Sequence, residues 1–145
     1  MPDNTPELVV RRPKILFLCC GNTCRSVLAK YLARHRCSER FDAESAGLHP
    51  QTKSHAENAI WTLRESFNID ASGHEPQSVS NVDLSSFHSV IALDLRVERA
   101  FRSAYPDFPS ERLQHWNVSD PYGDNLEEYK HCALTIWTNL SALKI

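Results

Sequence analysis

Glycine is scarce in this sequence, four residues among 145, and there is a single methionine. With eight prolines, 41% hydrophobic and 23% charged residues, the composition excludes collagen-like, disordered and supercharged chains and fits one globular domain. No charge of either sign dominates. A formal net charge of -2 gives no global electrostatic case for nucleic acid or an acidic membrane as partner. Long hydrophobic runs are also missing: the longest, Ile15 to Cys20, falls far short of the ~20 residues that cross a bilayer. No N-terminal stretch has the basic start and apolar core of a signal peptide, so the expectation is a soluble, cytoplasmic protein. What is present in excess is cysteine. The five cysteines are an odd number, and Cys19, Cys20 and Cys24 fall within six residues, unlike the spread spacing of a secreted disulfide framework. A domain of about 150 residues buries roughly 70% of its unfolded surface and needs no staple or structural metal, so these thiols call for another explanation.

Residues 1–12 carry Pro2, Asp3 and Pro6 and no apolar periodicity, which reads as a loosely ordered leader before a domain over 13–145. Lys14 to Leu18 is a continuous apolar run between Pro13 and Gly21-Asn22, the pattern of a strand buried on both faces. Val27, Leu28, Tyr31, Leu32 and His35 follow at helical spacing. A second strand over Phe41 to Ser45 ends at Gly47, and Ala56, Ala59, Ile60, Leu63 and Phe67 mark the next helix. Ser80 with Asp83 resembles a capping box for a short helix before a strand over Ser89 to Leu93. Val97, Ala100, Phe101 and Ala104 form a helix that Pro106 and Pro109 end, Arg112 to Trp116 is the last strand, and a final helix starts near Asn125. No repeat, linker or low-complexity tract interrupts the series. The three tryptophans, Trp61, Trp116 and Trp137, occupy core-compatible positions.

Strands alternating with helices predict an α/β domain with a parallel sheet of about four strands and helices on both faces. Ligands bind such sheets beyond the carboxyl ends of the strands, where two loops stand, Cys19 to Ser26 and Ser119 to Tyr122. The first leaves a buried strand and enters a helix N-terminus, whose unpaired N–H groups and dipole favour an anion. A thiol in that setting has its pKa lowered from about 8.5 to between roughly 3.5 and 7.5, and the thiolate is the nucleophile. Cys19 starts the loop. Arg25, six positions on, has a planar fork of donors suited to a tetrahedral oxyanion, and five residues between them suffice for the backbone to circle it. Gly21 and Asn22 tolerate the positive φ that a tight ring demands, Thr23 and Ser26 add hydroxyls, and Ser26 is in position to hydrogen-bond the thiolate. Cys20 contributes backbone N–H to the ring while its side chain packs away.

Cys19-(x)5-Arg25-Ser26 directly after an apolar strand resembles the phosphate-binding loop of the low-molecular-weight protein tyrosine phosphatase family. Glu44-Ser-Ala-Gly47, Ile69 to His74, Val90 to Asp94 and Asp120-Pro-Tyr122 resemble the same family in order along the chain. The resemblance implies a single three-layer domain with a four-stranded parallel sheet. It also implies metal-independent phosphomonoester hydrolysis, most simply of phosphotyrosine proteins or small aryl phosphates, with no cofactor and with inorganic phosphate as product and inhibitor. Cys19 would attack phosphorus, Arg25 would clamp the equatorial oxygens, and Asp120 would protonate the leaving oxygen and later act as base. Residues Cys20, Gly21, Asn22, Thr23, Cys24, Arg25 and Ser26 would bind phosphate. Cys24 matches a second cysteine able to pair with the nucleophile, Ser45 and His74 match a supporting shell, and Tyr122 matches an aromatic at the cleft rim. The chain departs from the family at Val27, Leu48 and Val97, in Glu75-Pro-Gln77, and in a short loop over Leu48 to Ser54.

Two other readings compete. One branch of the same fold reduces arsenate and requires two further cysteines near the end of the third strand and the segment after it, but no cysteine lies between Cys37 and Cys132. A zinc or redox-sensing module, or a phosphate-binding module without catalysis, belongs to a different class. The Cys-Cys and Cys-x3-Cys spacings fit a tetrahedral metal poorly, and Cys19, Arg25 and Asp120 are all in place for chemistry.

Overall fold

The computed structural model describes residues 12–123 and 125–144. The expected leader therefore lies outside the described residues except for Arg12, whose guanidinium pairs with Asp42 at 2.8 Å. Four strands, β1 (Lys14–Cys19), β2 (Asp42–Gly47), β3 (Ser89–Ala92) and β4 (Leu113–His115), form one parallel sheet in the order β2-β1-β3-β4. Four helices, α1 (Arg25–Arg36), α2 (Glu57–Phe67), α3 (Leu95–Ala104) and α4 (Leu126–Ala142), cover it. Among the described residues no helix is long and apolar enough to cross a membrane.

Alternation along β1 divides the core. Ile15, Phe17 and Cys19 face the layer of α1, α2 and α4, where they join Leu28, Leu32, Leu63, Tyr129 and Ile136. Leu16 and Leu18 face the other layer, with Val90 and Ala92 of β3 and Val97 and Phe101 of α3. β1 is thus buried on both faces, which is why it reads as an unbroken apolar run. The chain runs to opposite sides of β1 when it forms β2 and β3, so the switch point of the sheet lies between β1 and β3, at their carboxyl ends.

Three expectations need correction. The Ser80 and Asp83 pair does not box a helix: two short 3-10 turns stand there, Val79–Asn81 and Leu84–Ser86, capped by the side chains of Ser78 and Asp83. Each turn is too brief for a reciprocal cap, so each uses a local bond to the backbone two residues on. Trp116 is in the core and Trp137 is half-buried against Phe67, but Trp61 is 40% exposed, because the buried face of α2 runs through Ala59, Thr62 and Leu63. The Cys20 side chain is exposed rather than packed away, since β1 ends at Cys19 and the chain turns outward at the next residue.

Phe101 anchors the second core layer, its ring tilted against Tyr105 at 5.1 Å and edge-to-face with Phe108 at 5.4 Å. Replacing it with alanine should cost about 3–5 kcal/mol of stability, read as a lower urea midpoint at unchanged slope. A midpoint unchanged from wild type would mean that this layer does not bear on global stability.

Candidate active site

The loop from Cys19 to Cys24 closes round a small cavity of about 130 Å³ at the switch point. Its shape follows from where its carbonyls go. The segment after β2 runs alongside: Leu48, His49 and Gln51 donate their N–H groups to the carbonyls of Cys19, Cys20 and Gly21 at 3.1, 2.8 and 3.0 Å. The fourth carbonyl, of Asn22, accepts from His74 Nε2 at 2.9 Å. A trans peptide points its C=O and the next N–H in opposite directions, so tying four successive carbonyls outward turns the N–H groups of residues 20 to 23 toward the cavity. At the end of the loop α1 begins. Its cap residue Cys24 makes no side-chain cap bond and its first turn carries no acid, so those N–H groups also remain for an anion.

Asn22 holds the ring in shape. It is fully buried and left-handed, φ 54°, whereas Gly21 does not adopt positive φ; the expectation of two such residues reduces to one. The Asn22 side-chain amide donates to Ser26 Oγ and Ser45 Oγ, each at 2.9 Å, and its oxygen accepts from Gln77 N–H at 3.0 Å. With the Ser26 oxygen so engaged, its hydroxyl hydrogen is free to point at Cys19 Sγ, 2.8 Å away. The bond to the Asn22 carbonyl puts the His74 hydrogen on Nε2, and Nδ1 is buried without a partner. Burial lowers the His74 pKa, in opposition to the Asn22 bond, so the ring is neutral at pH 7.

Arg25 is 4% exposed. Its Nη1 donates to Asp94 Oδ2 at 2.7 Å and to the Val118 carbonyl at 2.9 Å, and Nη2 lies 3.8 Å from Asp120. Burial works against the charge, but Asp94 and the other nearby anionic groups outweigh it and hold the guanidinium above its usual range. Burial likewise raises the Asp94 carboxyl, and bonds from Arg25 and from the Val97 N–H more than reverse this. Asp94 thus caps α3 and anchors Arg25 with the same carboxylate. Nothing in the sequence alone gives Asp94 a role; its signal there is an acid just past the carboxyl end of a strand, opening a helix on the rim. Gln51, which lines the cavity and accepts from Thr23 Oγ1 at 3.4 Å, had no such signal.

The structure brings Cys19, Arg25 and Asp120 together around the cavity, with Thr23 and Tyr122 on its walls. Asp120 is half exposed and accepts from Tyr122 N–H at 3.0 Å, and Tyr122 leans on His55, ring centres 5.7 Å apart. All five cysteines are free. Cys24 is buried, its sulfur 3.4 Å from Tyr129 Oη, and burial pushes its thiol up to about 11 against the pull of that bond. Cys132 is buried beside the loop and pushed up to about 12, and Cys37 is a core thiol.

The family model for low molecular weight phosphotyrosine protein phosphatase matches residues 14–144. The chain belongs to this low molecular weight phosphatase family. Among curated relatives, arsenate reductase 2 of Staphylococcus saprophyticus is 29% identical over 116 residues, 80% of this chain and 84% of its own. Among solved structures, a low molecular weight protein tyrosine phosphatase from T. tengcongensis superposes with a TM-score of 0.82 at 28% identity, over 89% of this chain and 95% of that one. YwlE arginine phosphatase from Geobacillus stearothermophilus superposes at 0.79 and 23% identity, over 89% and 88%, a likeness that speaks to the fold alone. The low molecular weight phosphatase family is thus a group of cysteine-dependent phosphatases with arsenate reductases among its members.

Gly47 pairs with Cys19 across β1 and β2, and a Cβ there would meet the Cys20 carbonyl at 2.7 Å and Asn22 N at 2.9 Å, both backbone. Gly47→Ala must displace the ring, at the ordinary overpacking cost of about 1–3 kcal/mol, so the Kd for inorganic phosphate should rise on the order of tenfold by calorimetry. Unchanged affinity would show that the ring does not depend on this approach. At pH 7.5, below the raised Cys24 pKa, iodoacetamide should label exposed Cys20 well before Cys24 in a peptide map of the folded protein. Equal labelling rates would contradict the buried neutral thiol.

Proposed function

We propose that this protein is a metal-independent phosphomonoesterase working through a phosphocysteine on Cys19, with protein phosphotyrosine or a related aryl phosphate as substrate. The observation that carries the reading is the convergence of a thiol, an inward ring of N–H donors and a buried guanidinium on one small cavity with a half-exposed carboxylate at its mouth. In the first step the Cys19 thiolate attacks phosphorus along the line to the leaving oxygen, and Asp120 delivers the proton that oxygen needs. The ring N–H groups of residues 20 to 26 and Arg25 carry the charge on the equatorial oxygens, a task that divalent metals perform in other phosphoryl transferases. In the second step Asp120 takes a proton from water, which displaces Cys19 and releases inorganic phosphate. Ser26 steadies the sulfur as nucleophile and as leaving group. Ser45 and His74 keep the ring in shape through Asn22, and Tyr122 offers a face to an aryl leaving group.

Arsenate reduction is the second reading, favoured by the names of the curated relatives. Its relay requires cysteines near the end of β3, where this chain carries Ala92, Leu93 and Asp94, and Asp94 is occupied with Arg25 and the cap of α3. The cavity accepts any tetrahedral oxyanion, so arsenate should bind and inhibit without being turned over by that relay.

The test is a panel of p-nitrophenyl phosphate, a phosphotyrosine peptide, a phosphoarginine peptide and arsenate with a thiol reductant, each without added metal and with chelator present. Turnover of the aryl esters, abolished in Cys19→Ser, is expected, with arsenate acting as competitor. Asp120→Ala should slow the phosphotyrosine peptide about 10²–10⁴-fold, the usual worth of general acid catalysis, and an activated aryl ester much less. Exclusive turnover of phosphoarginine or arsenate, or activity surviving in Cys19→Ser, would refute the reading.

A further inference from the structure

The wall of the cup formed by Cys20, Arg25 and Asp120 is shared with a second and larger cavity, about 390 Å³ against about 130 Å³. Tyr122 lines the cup and does not line this neighbour. Leu48 from the segment after β2, with Val97 and Ala100 from α3, gives it an apolar lining, and exposed His49 and Arg96 complete it. A substrate whose phosphate sits on the ring must lead its remaining atoms past Asp120, and this cavity opens there.

The charges in the cavity are not equivalent. Its two carboxylates, Asp94 and Asp120, both face Arg25, at 2.7 and 3.8 Å. Arg96 has no carboxylate partner among the described residues, and neither has Arg99, one turn along the same side of α3. The third arginine of that helix differs: Arg102 pairs with Glu98 at 3.2 Å, and Glu98 also holds His115 at 2.6 Å. Arg96, the arginine of α3 that lines the cavity, is thus left uncompensated, while Arg102, paired with the Glu98 that also holds His115 of β4, is neutralised.

Resting on the phosphomonoesterase reading above, we propose that this second cavity receives the stretch of a phosphoprotein beside its phosphorylated residue and selects an acidic side chain there, with Arg96 setting the preference. The aliphatic stem of a glutamate lies against Leu48, Val97 and Ala100, and its carboxylate meets Arg96. A lysine in the same position meets an unpaired guanidinium and is disfavoured. A lone aryl phosphate ends at the cup and does not sense Arg96.

The experiment compares two phosphotyrosine peptides that differ only in carrying glutamate or glutamine on both sides of the phosphotyrosine. For the wild type at low salt, kcat/KM should favour glutamate by about two- to fivefold, the range expected of one solvent-exposed ion pair, and the ratio should shrink as salt is added. Arg96→Ala should bring the ratio to one and Arg96→Glu should reverse it, with p-nitrophenyl phosphate turnover unchanged in both. The same pair made with phosphonomethyl-phenylalanine, which cannot be hydrolysed, should give the same ratio in Kd by calorimetry. That arm tests the cavity even if wild-type protein turns over neither ester, an outcome that would refute the catalytic reading alone. No glutamate preference in wild-type Kd, a preference that persists in Arg96→Ala, or a fall of p-nitrophenyl phosphate turnover in Arg96→Ala would each overturn the proposal.

Discussion

The site depends on four carbonyl groups being held away from it. Those of Cys19, Cys20, Gly21 and Asn22 accept hydrogen bonds from Leu48, His49, Gln51 and His74, and the peptide planes then have no choice but to turn the following N–H groups inward. Donors fixed in this way do not reorganise when charge develops, and that is where their value to catalysis lies. The neighbouring segment must run close for this to work, and Gly47 permits it: the atoms nearest to its missing side chain are backbone of the ring itself.

A second constraint sets the charge. Arg25 is buried, and removing one partner of a buried ion pair costs about 3–5 kcal/mol, so Asp94 is as much a condition of the positive cup as Arg25 is. The carboxylate caps α3 just beyond β3, on the far side of the switch point, so the guanidinium fastens the start of α1 to the segment that follows β3. The net charge of -2 is irrelevant to the anion bound. The helix starts differ as well: α3 and α4 are capped by the side chains of Asp94 and Asn125, whereas α1, which faces the cup, and α2 have no side-chain cap.

Much of this was legible in the residues. The apolar run of β1, the thiol at its end and the arginine six positions on defined the loop, and Asp-Pro-Tyr on the same rim marked its companion. The braces were not legible, because three of the four outward tethers are bonds from backbone N–H groups and leave no trace in side-chain identity. Asp94 was visible as an acid on the rim, but its bond to Arg25 depends on a sheet order that spacing alone does not determine. Trp61 and Cys20 went wrong for a common reason: burial was judged from residue type, whereas exposure followed from which face of α2, or which side of the end of β1, the residue occupies. Asn22 was expected to tolerate positive φ, and its left-handed backbone is matched by a side chain with every polar atom bonded.

On the proposed mechanism every phosphoryl group passes through Cys19. Mixing the protein with an excess of p-nitrophenyl phosphate, quenching within milliseconds and mapping peptides by mass spectrometry tests it directly. A single phosphoryl adduct is expected on the peptide containing Cys19, formed no more slowly than turnover and accumulating further in Asp120→Ala if the second step is the slower. Rapid turnover with no adduct, or an adduct on any other residue, would contradict it.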